Sequence, residues 1–335
     1  MYRVTASTGV GMDTMKQRIF PGVFLSFCAL TVAAGVGGCS IRKLAINSVA
    51  NALSGEGSLV FTGEDDPVLV GDALPFALKM YESLLEKAPD NEGLNIATGK
   101  AFVMYAFAFV QSPAEKLGNA ELDRKKEELM RAKRLFLRGR NYIFDALDLR
   151  HPGFSGQMKT GSVDSALARV TPADTTALYW AGMSWVGAIM ADKFDLGMLL
   201  GLKRAVSLVA KTESYNRDYG NGAIDDFYIS YYGSLPPSMG GSQEKARAHY
   251  ERAVELSQGR SASPHVALAA SVSVTNQDID EFRRLLDKAL AVDVSRRDAS
   301  RLSNILSQQK ARWMLDHIDE YFLIDEPAPD ADENQ

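Results

Sequence analysis

The apolar residues of this chain recur with the ~3.6-residue period of an α-helix nearly everywhere beyond residue 39. No segment alternates apolar and polar residues with strand composition over more than a few positions. Such a chain can hide its apolar faces only helix on helix, so the pattern predicts an all-α fold. Helical stretches are expected at about 72–88, 91–111, 121–149, 173–191, 195–211, 223–233, 243–258, 264–276, 279–292 and 297–322. The breaks between them carry turn chemistry, at Pro89-Asp90-Asn91, Ser112-Pro113, His151-Pro152-Gly153, Gly220-Asn221-Gly222, and from Pro236-Pro237 to Gly240-Gly241.

A degenerate internal repeat narrows the architecture. Ala77, Tyr81, Leu84-Leu85 and Pro89 place a small residue, an aromatic four later, an apolar pair three after that, and a closing proline. Ala246, Tyr250, Ala253-Val254 and Leu256 repeat the spacing, as do Leu286, Ala289-Leu290 and Val292 with Phe282 in the small-residue place. Tyr142, Ala146-Leu147 and Leu149 form a looser copy. Alanine lets two helix backbones approach, and the aromatic fills the groove beside it. The step from Ala253 to Ala289 is 36 residues, near the ~34 of tetratricopeptide repeats. The remaining steps are irregular. The expected fold is therefore an irregular tetratricopeptide-like helical-repeat solenoid forming one continuous domain over 72–322.

The N-terminus reads as an address. Lys16 and Arg18 precede an apolar run from Ile19 to Val36 that ends Val36-Gly37-Gly38-Cys39. A basic flank, an apolar centre and small residues before a cysteine describe a bacterial lipoprotein signal over 1–38. Cys39 is the expected lipidation site, and the first residue once the signal is cleaved. Pro21 and the glycines at 35–38 are poor for an uninterrupted membrane helix. Ser40 is not the aspartate that signals inner-membrane retention in many Gram-negative bacteria, so a periplasm-facing, outer-membrane position is expected. Residues 39–71 are read as a lipid-anchored helix (41–53) and a glycine-broken linker (54–71), and 323–335 as an acidic, disordered tail.

Several chemistries are disfavoured. The 335-residue chain has a formal charge of −5, which argues against nucleic acid as a partner. Two cysteines cannot build a disulfide framework, and His151, His249, His265 and His317 show no metal-ligand spacing. No metal, cofactor or catalytic residue is expected. Ser307-Gln308-Gln309-Lys310 and Lys159-Thr160-Gly161 match two short β-lactamase-type motifs, but in the wrong order and without the third element. Asp225-Asp226 is read as favouring a helix N-terminus, and His151 as a helix C-cap.

Two aromatic helices are the candidate binding surface. Tyr179, Trp180 and Trp185 share a helix with the small residues Ala177, Ala181, Ser184 and Ala188. Phe227, Tyr228, Tyr231 and Tyr232 cover two adjacent faces of another, so at least one ring is expected to be exposed or to line a cavity. Asn304 and Arg312, two turns apart, are candidate polar contacts, with capping or surface roles as the alternative.

Finally, an ordered series of stretches resembles a known family. It begins with Asp65-Asp66-Pro67-Val68-Leu69-Val70, Ala73-Leu74-Pro75-Phe76-Ala77-Leu78 and Tyr81-Glu82-Ser83-Leu84-Leu85. It continues through Pro89-Asp90-Asn91, Tyr105 to Gln111 and Ala177-Leu178-Tyr179-Trp180. The last pieces are Gly240 to Arg247, Phe282 with Leu285-Leu286, and Arg301-Leu302 with Asn304. Over roughly 41–322, with the lipobox ahead of it, this resembles the T-component (TatT) lipoproteins of tripartite ATP-independent periplasmic (TRAP) transporters. The resemblance implies a membrane-tethered helical-repeat solenoid without catalytic residues. It also implies association with a periplasmic solute-binding protein, and homo-oligomers, a trimer among them, enclosing a pore. The expected function is an adaptor that docks the solute-binding protein and assists uptake of a small, apolar solute. A structural scaffold for envelope assembly is the alternative, and a hydrolase using Ser307 and Lys310 a more distant one.

Overall fold

Side-chain caps set four of the helix starts in the computed structural model, which describes residues 59–323. Asp66 accepts from the N–H of Val68 (2.9 Å) and Leu69 (3.1 Å) while Pro67, with no N–H to satisfy, opens α1 (Pro67–Leu85). Asn91 caps α2 (Glu92–Tyr105) through the N–H of Leu94 at 2.8 Å. Then follow α3 (Leu122–Arg150), α4 (Thr175–Ala191), α5 (Leu202–Tyr215) and α6 (Ala223–Ser234). Ser242 caps α7 (Gln243–Leu256), and α8 (Ser263–Leu268) leads to α9 (Ile279–Leu290), which is capped by Asp278. The last long helix is α10 (Arg301–Asp316). Every regular element among the described residues is helical, as the periodicity predicted. The signal over 1–38, Cys39, the 41–53 helix and the tail beyond Leu323 lie outside the described residues.

Each helix packs chiefly on a neighbour in the chain: α2 on α3, α3 on α4, α4 on α5, α6 on α7, α8 on α9 and α9 on α10. Many of the repeat positions are buried, whereas Pro89 and Leu149 are exposed. Ala77, Tyr81 and Leu85 are buried, as are Ala246, Ala253, Phe282, Leu286, Ala289 and Val292. Gly99 of α2 and Gly139 of α3 meet in a close crossing. A Cβ at Gly99 would stand 2.6 Å from the Gly139 carbonyl oxygen and 2.4 Å from the Ile143 side chain. Only hydrogen at both positions lets the two backbones meet.

Glu92–Glu115, α2 with its extension, is long and apolar enough to cross a membrane by length and composition. Its Phe102, Val103, Ala106 and Val110 are buried, the last three in a cluster with Ala132 and Phe136 of α3, so it serves as a core helix.

The end of the helical series returns to its start. Arg301 Nη2 pairs with Asp65 Oδ2 at 2.6 Å, and Lys310 Nζ lies 3.9 Å from Glu115 Oε2. Leu302 packs with Val70 and Leu74 of α1. These contacts tie α10 to both α1 and the extension of α2.

Local departures from the predicted helices have steric causes. The chain is already helical at Leu59–Thr62, and α1 starts at Pro67 rather than 72, because Gly71 sits inside the helix. A Cβ at Gly71 would stand 2.8 Å from the Phe109 ring, so this glycine serves close packing and not a break. The expected 195–211 helix is divided into a Leu196–Leu199 turn and α5. Between them Gly201 lies against Trp185, where a Cβ would come within 2.9 Å of the indole. Two helices continue through π-helical turns, Ala106–Gln111 and Ala269–Ser273. Short helices Phe154–Lys159 and Val163–Leu167 occupy the stretch between α3 and α4.

Candidate functional site

A buried carboxylate fixes the entry of α4. Asp174 accepts from Thr171 N (2.7 Å), Thr171 Oγ1 (3.1 Å), Arg150 Nη1 (2.5 Å) and His151 Nε2 (2.9 Å). Burial alone would raise its pKa, but these hydrogen bonds outweigh it and hold the carboxyl below its ordinary range. His151, whose N–H reaches the Leu147 carbonyl, ends α3 as expected and joins it to α4.

On that frame α4 presents Tyr179 and Trp180 toward α6. Tyr179 is buried, with its ring 4.9 Å from Tyr219 and 5.5 Å from Trp180. On α6, Phe227 and Tyr228 are buried, while Tyr231 and Tyr232 are half-buried. Phe227 stacks on Tyr231 at 5.8 Å and Tyr228 on Tyr232 at 5.5 Å. His249 from α7 lies 4.8 Å from Tyr228 and 5.6 Å from Tyr232, and Lys245 Nζ stands 5.2 Å over Tyr232. Trp180, Met183, Val186, Val206, Tyr231 and Tyr232 remain partly accessible around the buried rings. This accessible rim is an aromatic and aliphatic wall. It offers ring faces and phenol hydroxyls to an apolar solute or partner segment.

The wall rests on a buried charge network that spacing alone did not expose. Asp225 is fully buried and receives both Arg217 Nη1 contacts at 3.1 Å, His249 Nδ1 at 2.7 Å, and Arg252 Nε at 3.6 Å. Beside it, Asp226 Oδ2 accepts from Ser263 Oγ at 2.6 Å, while Oδ1 is buried without a hydrogen-bond partner. Burial, assisted by the charge of Asp225, pushes the Asp226 carboxyl up to about 6. Burial likewise raises the Tyr179 and Tyr228 hydroxyls above the usual phenol range. The pair does sit in the first turn of α6, but it also ties that helix to the chain after α5, to α7 and to α8.

The remaining sequence candidates are elsewhere. Trp185 is buried in a different cluster, 6.0 Å from Phe144 and beneath the Arg140 guanidinium at 5.0 Å. Burial pulls that guanidinium down to about 10. Asn304 is buried and committed to the loop between α7 and α8. Its Oδ1 accepts from Ala262 N (3.0 Å), and its Nδ2 donates to the Arg260 carbonyl (2.8 Å). Arg312 is exposed on α10.

Two clefts also escaped sequence reading. One, of about 500 Å³, is bounded by Glu82, Asn95, Tyr142, Asp145 and Asp148. There Tyr142 Oη donates to Glu82 Oε1 at 2.7 Å, and burial with Asp148 raises the Asp145 carboxyl. The other, of about 180 Å³, lies between α7 and α9 beside the Arg247–Glu281 pair. Among the described residues, no three His, Cys, Asp or Glu side chains are grouped to hold a metal ion.

Comparison with known proteins decides the family. A profile described as TRAP transporter T-component matches residues 63–322. The chain belongs to that family. A relative from Treponema pallidum (strain Nichols), described as an uncharacterized protein, is 32% identical over 302 residues, covering 85% of this chain and 94% of its own. Membership in the T-component family associates the protein with a TRAP transport system and with the bacterial envelope. The family is one of transporter components, and the matched span takes in every helix from α1 to α10.

Proposed function

We propose that this T-component is a lipid-anchored, periplasm-facing adaptor. It docks the solute-binding protein of its TRAP system and helps pass on a small, apolar solute. The observation that carries this reading is the half-buried wall of Trp180, Tyr231 and Tyr232, built on α4 and α6 within the span matched by the family profile. Buried Tyr179, Phe227 and Tyr228 hold the wall in place. The stacking of helix on neighbouring helix supports a tetratricopeptide-like array, and homo-oligomers, trimers included, would multiply the surface offered to partners.

The test is recovery of partners from detergent-solubilised membranes. The parent chain recovers a periplasmic solute-binding protein. Trp180→Ala combined with Tyr232→Ala removes two partly exposed rings and lowers recovery about tenfold or more, as truncation of aromatic anchors does. Unchanged recovery would remove the wall from the docking site, and recovery of assembly factors in place of a solute-binding protein would favour an envelope scaffold.

The anchor is tested separately. Cys39 is proposed to carry the lipid, with Ser40 directing the protein to the outer membrane. Metabolic incorporation of an acyl probe is expected in the parent and absent in Cys39→Ser. Equal labelling of the two chains would move the lipid, or the whole lipoprotein reading, elsewhere.

A further inference from the structure

The turn between α4 and α5 exposes apolar side chains to an unusual degree. Phe194 is 94% exposed, Leu196 73% and Leu200 84%. Looseness does not account for it. Lys133 of α3 holds both ends of the turn's first loop, its Nζ 2.8 Å from Asp192 Oδ2 and 2.6 Å from Asp195 Oδ2. Asp195 Oδ1 also accepts from Met198 N at 3.0 Å, which starts the Leu196–Leu199 turn. Met198 and Leu199 pack back on the core, and Gly201 lies against Trp185. The turn therefore divides its apolar residues, anchoring two and projecting three.

The charge of this tip is also divided. Both of its acids are committed to Lys133, whereas Lys193 and Lys203 are exposed and have no carboxylate partner among the described residues. What remains facing outward is apolar and positive. Protein interfaces exclude lysine from their cores, and three side chains bury far less than the ~1,000 Å² a stable protein contact needs. A bilayer surface has the opposite preferences. Its acyl boundary takes up phenylalanine and leucine, its anionic headgroups attract lysine, and lysine stems snorkel between the two. Given the proposed Cys39 anchor, on which this contact rests, weak insertion suffices, because tethering replaces affinity with effective concentration.

We propose that Phe194, Leu196 and Leu200, flanked by Lys193 and Lys203, form a second membrane contact that enters the interface of an anionic lipid bilayer. It fixes which face of the helical array lies on the membrane, and it does not depend on the transporter partner.

The test uses the full chain, N-terminal segment included, reconstituted into vesicles of equal parts phosphatidylcholine and phosphatidylglycerol, with plain or brominated acyl chains. Phe194→Trp is compared with Met239→Trp, another exposed apolar position. Trp180, Trp185 and Trp313 are present in every sample, so the readout is emission added over the parent. Bromination is expected to lower the added emission of Phe194→Trp about twofold or more while sparing Met239→Trp. Lys193→Gln with Lys203→Gln in the same background should weaken that quenching. Equal quenching at 194 and 239, or none at 194, overturns the proposal. So does a blue shift at 194 that grows with protein concentration in detergent without bromine quenching, which would assign the tip to a second copy.

Discussion

Asp225→Ala is expected to destabilise the fold by about 3 kcal/mol, the lower end of what breaking a buried ion network costs. The carboxylate is fully buried and serves two arginines and a histidine from two directions, Arg217 ahead of α6 and His249 and Arg252 on α7. Removing it takes the carboxylate from His249 and leaves Arg217 with Glu213 and Arg252 with Asp218 as their remaining acidic partners. Arg217 and Arg252 are about a third exposed and can rehydrate, which keeps the loss from reaching the upper end. In a chain of this size such a loss lowers the melting temperature by about 4–5 °C. The urea midpoint should fall with little change in slope, and Glu251→Ala on the exposed face of α7 should leave it in place. A second consequence separates this network from generic packing. His249 is held by Asp225 and lies against Tyr228 and Tyr232, so the variant should also weaken partner recovery at temperatures where it remains folded. An unaltered midpoint would mean that Glu213 and Asp218 suffice for the two arginines and that His249 needs no carboxylate.

The same network shows where sequence reading stops. Helix positions were legible because they depend on neighbours in the chain. The break at Pro89-Asp90-Asn91 precedes its helix, and Ala77, Tyr81, Ala253, Phe282 and Ala289 mark the buried faces. Gly71 misled, since a glycine required by the Phe109 ring cannot be told from one that ends a helix without knowing what lies across from it. At the wall, the i,i+4 spacing of Phe227/Tyr231 and Tyr228/Tyr232 gave two faces of α6. Which rings stay accessible was decided by α4 and α7, through Tyr179 and His249. Asn304 has the same history. A polar side chain in a helix reads equally well as a ligand contact or a strut, and only the backbone of Arg260 and Ala262 makes it a strut. The return of α10 to α1 rests on Asp65 with Arg301 and on Leu302 with Val70, pairs that no local pattern joins.

Two buried titratable groups should give the protein opposing responses to pH, visible when each is removed alone. Asp226, at about 6, stands above the ~3.9 of an unfolded aspartate. The folded state therefore holds its proton more tightly. The group is neutral in both states below pH ~4, and stability is lost as pH rises from there through 6. Each pKa unit is worth ~1.4 kcal/mol, so the full penalty at neutral pH is about 3 kcal/mol. His265 behaves in the reverse sense. Burial, with Lys288 nearby, lowers it to about 4, while unfolded histidine titrates near 6.5. Its stability contribution is intact above ~6.5 and is lost as pH falls toward 4, again by about 3 kcal/mol. Asp226→Asn keeps an acceptor for Ser263, and His265→Gln keeps a polar partner for the Tyr250 hydroxyl at 3.0 Å. Relative to the parent, Asp226→Asn should gain stability steadily between pH 4 and 6 and hold that gain at pH 7. His265→Gln should show its advantage at pH 4 and lose it by pH 6.5. Urea midpoints measured at both ends of the range read the two differences directly. Profiles parallel to the parent would show that both groups titrate as they do in the unfolded chain, and that the interior between α6 and α8 is wetter than the packing of Asp226 against Ser263 implies.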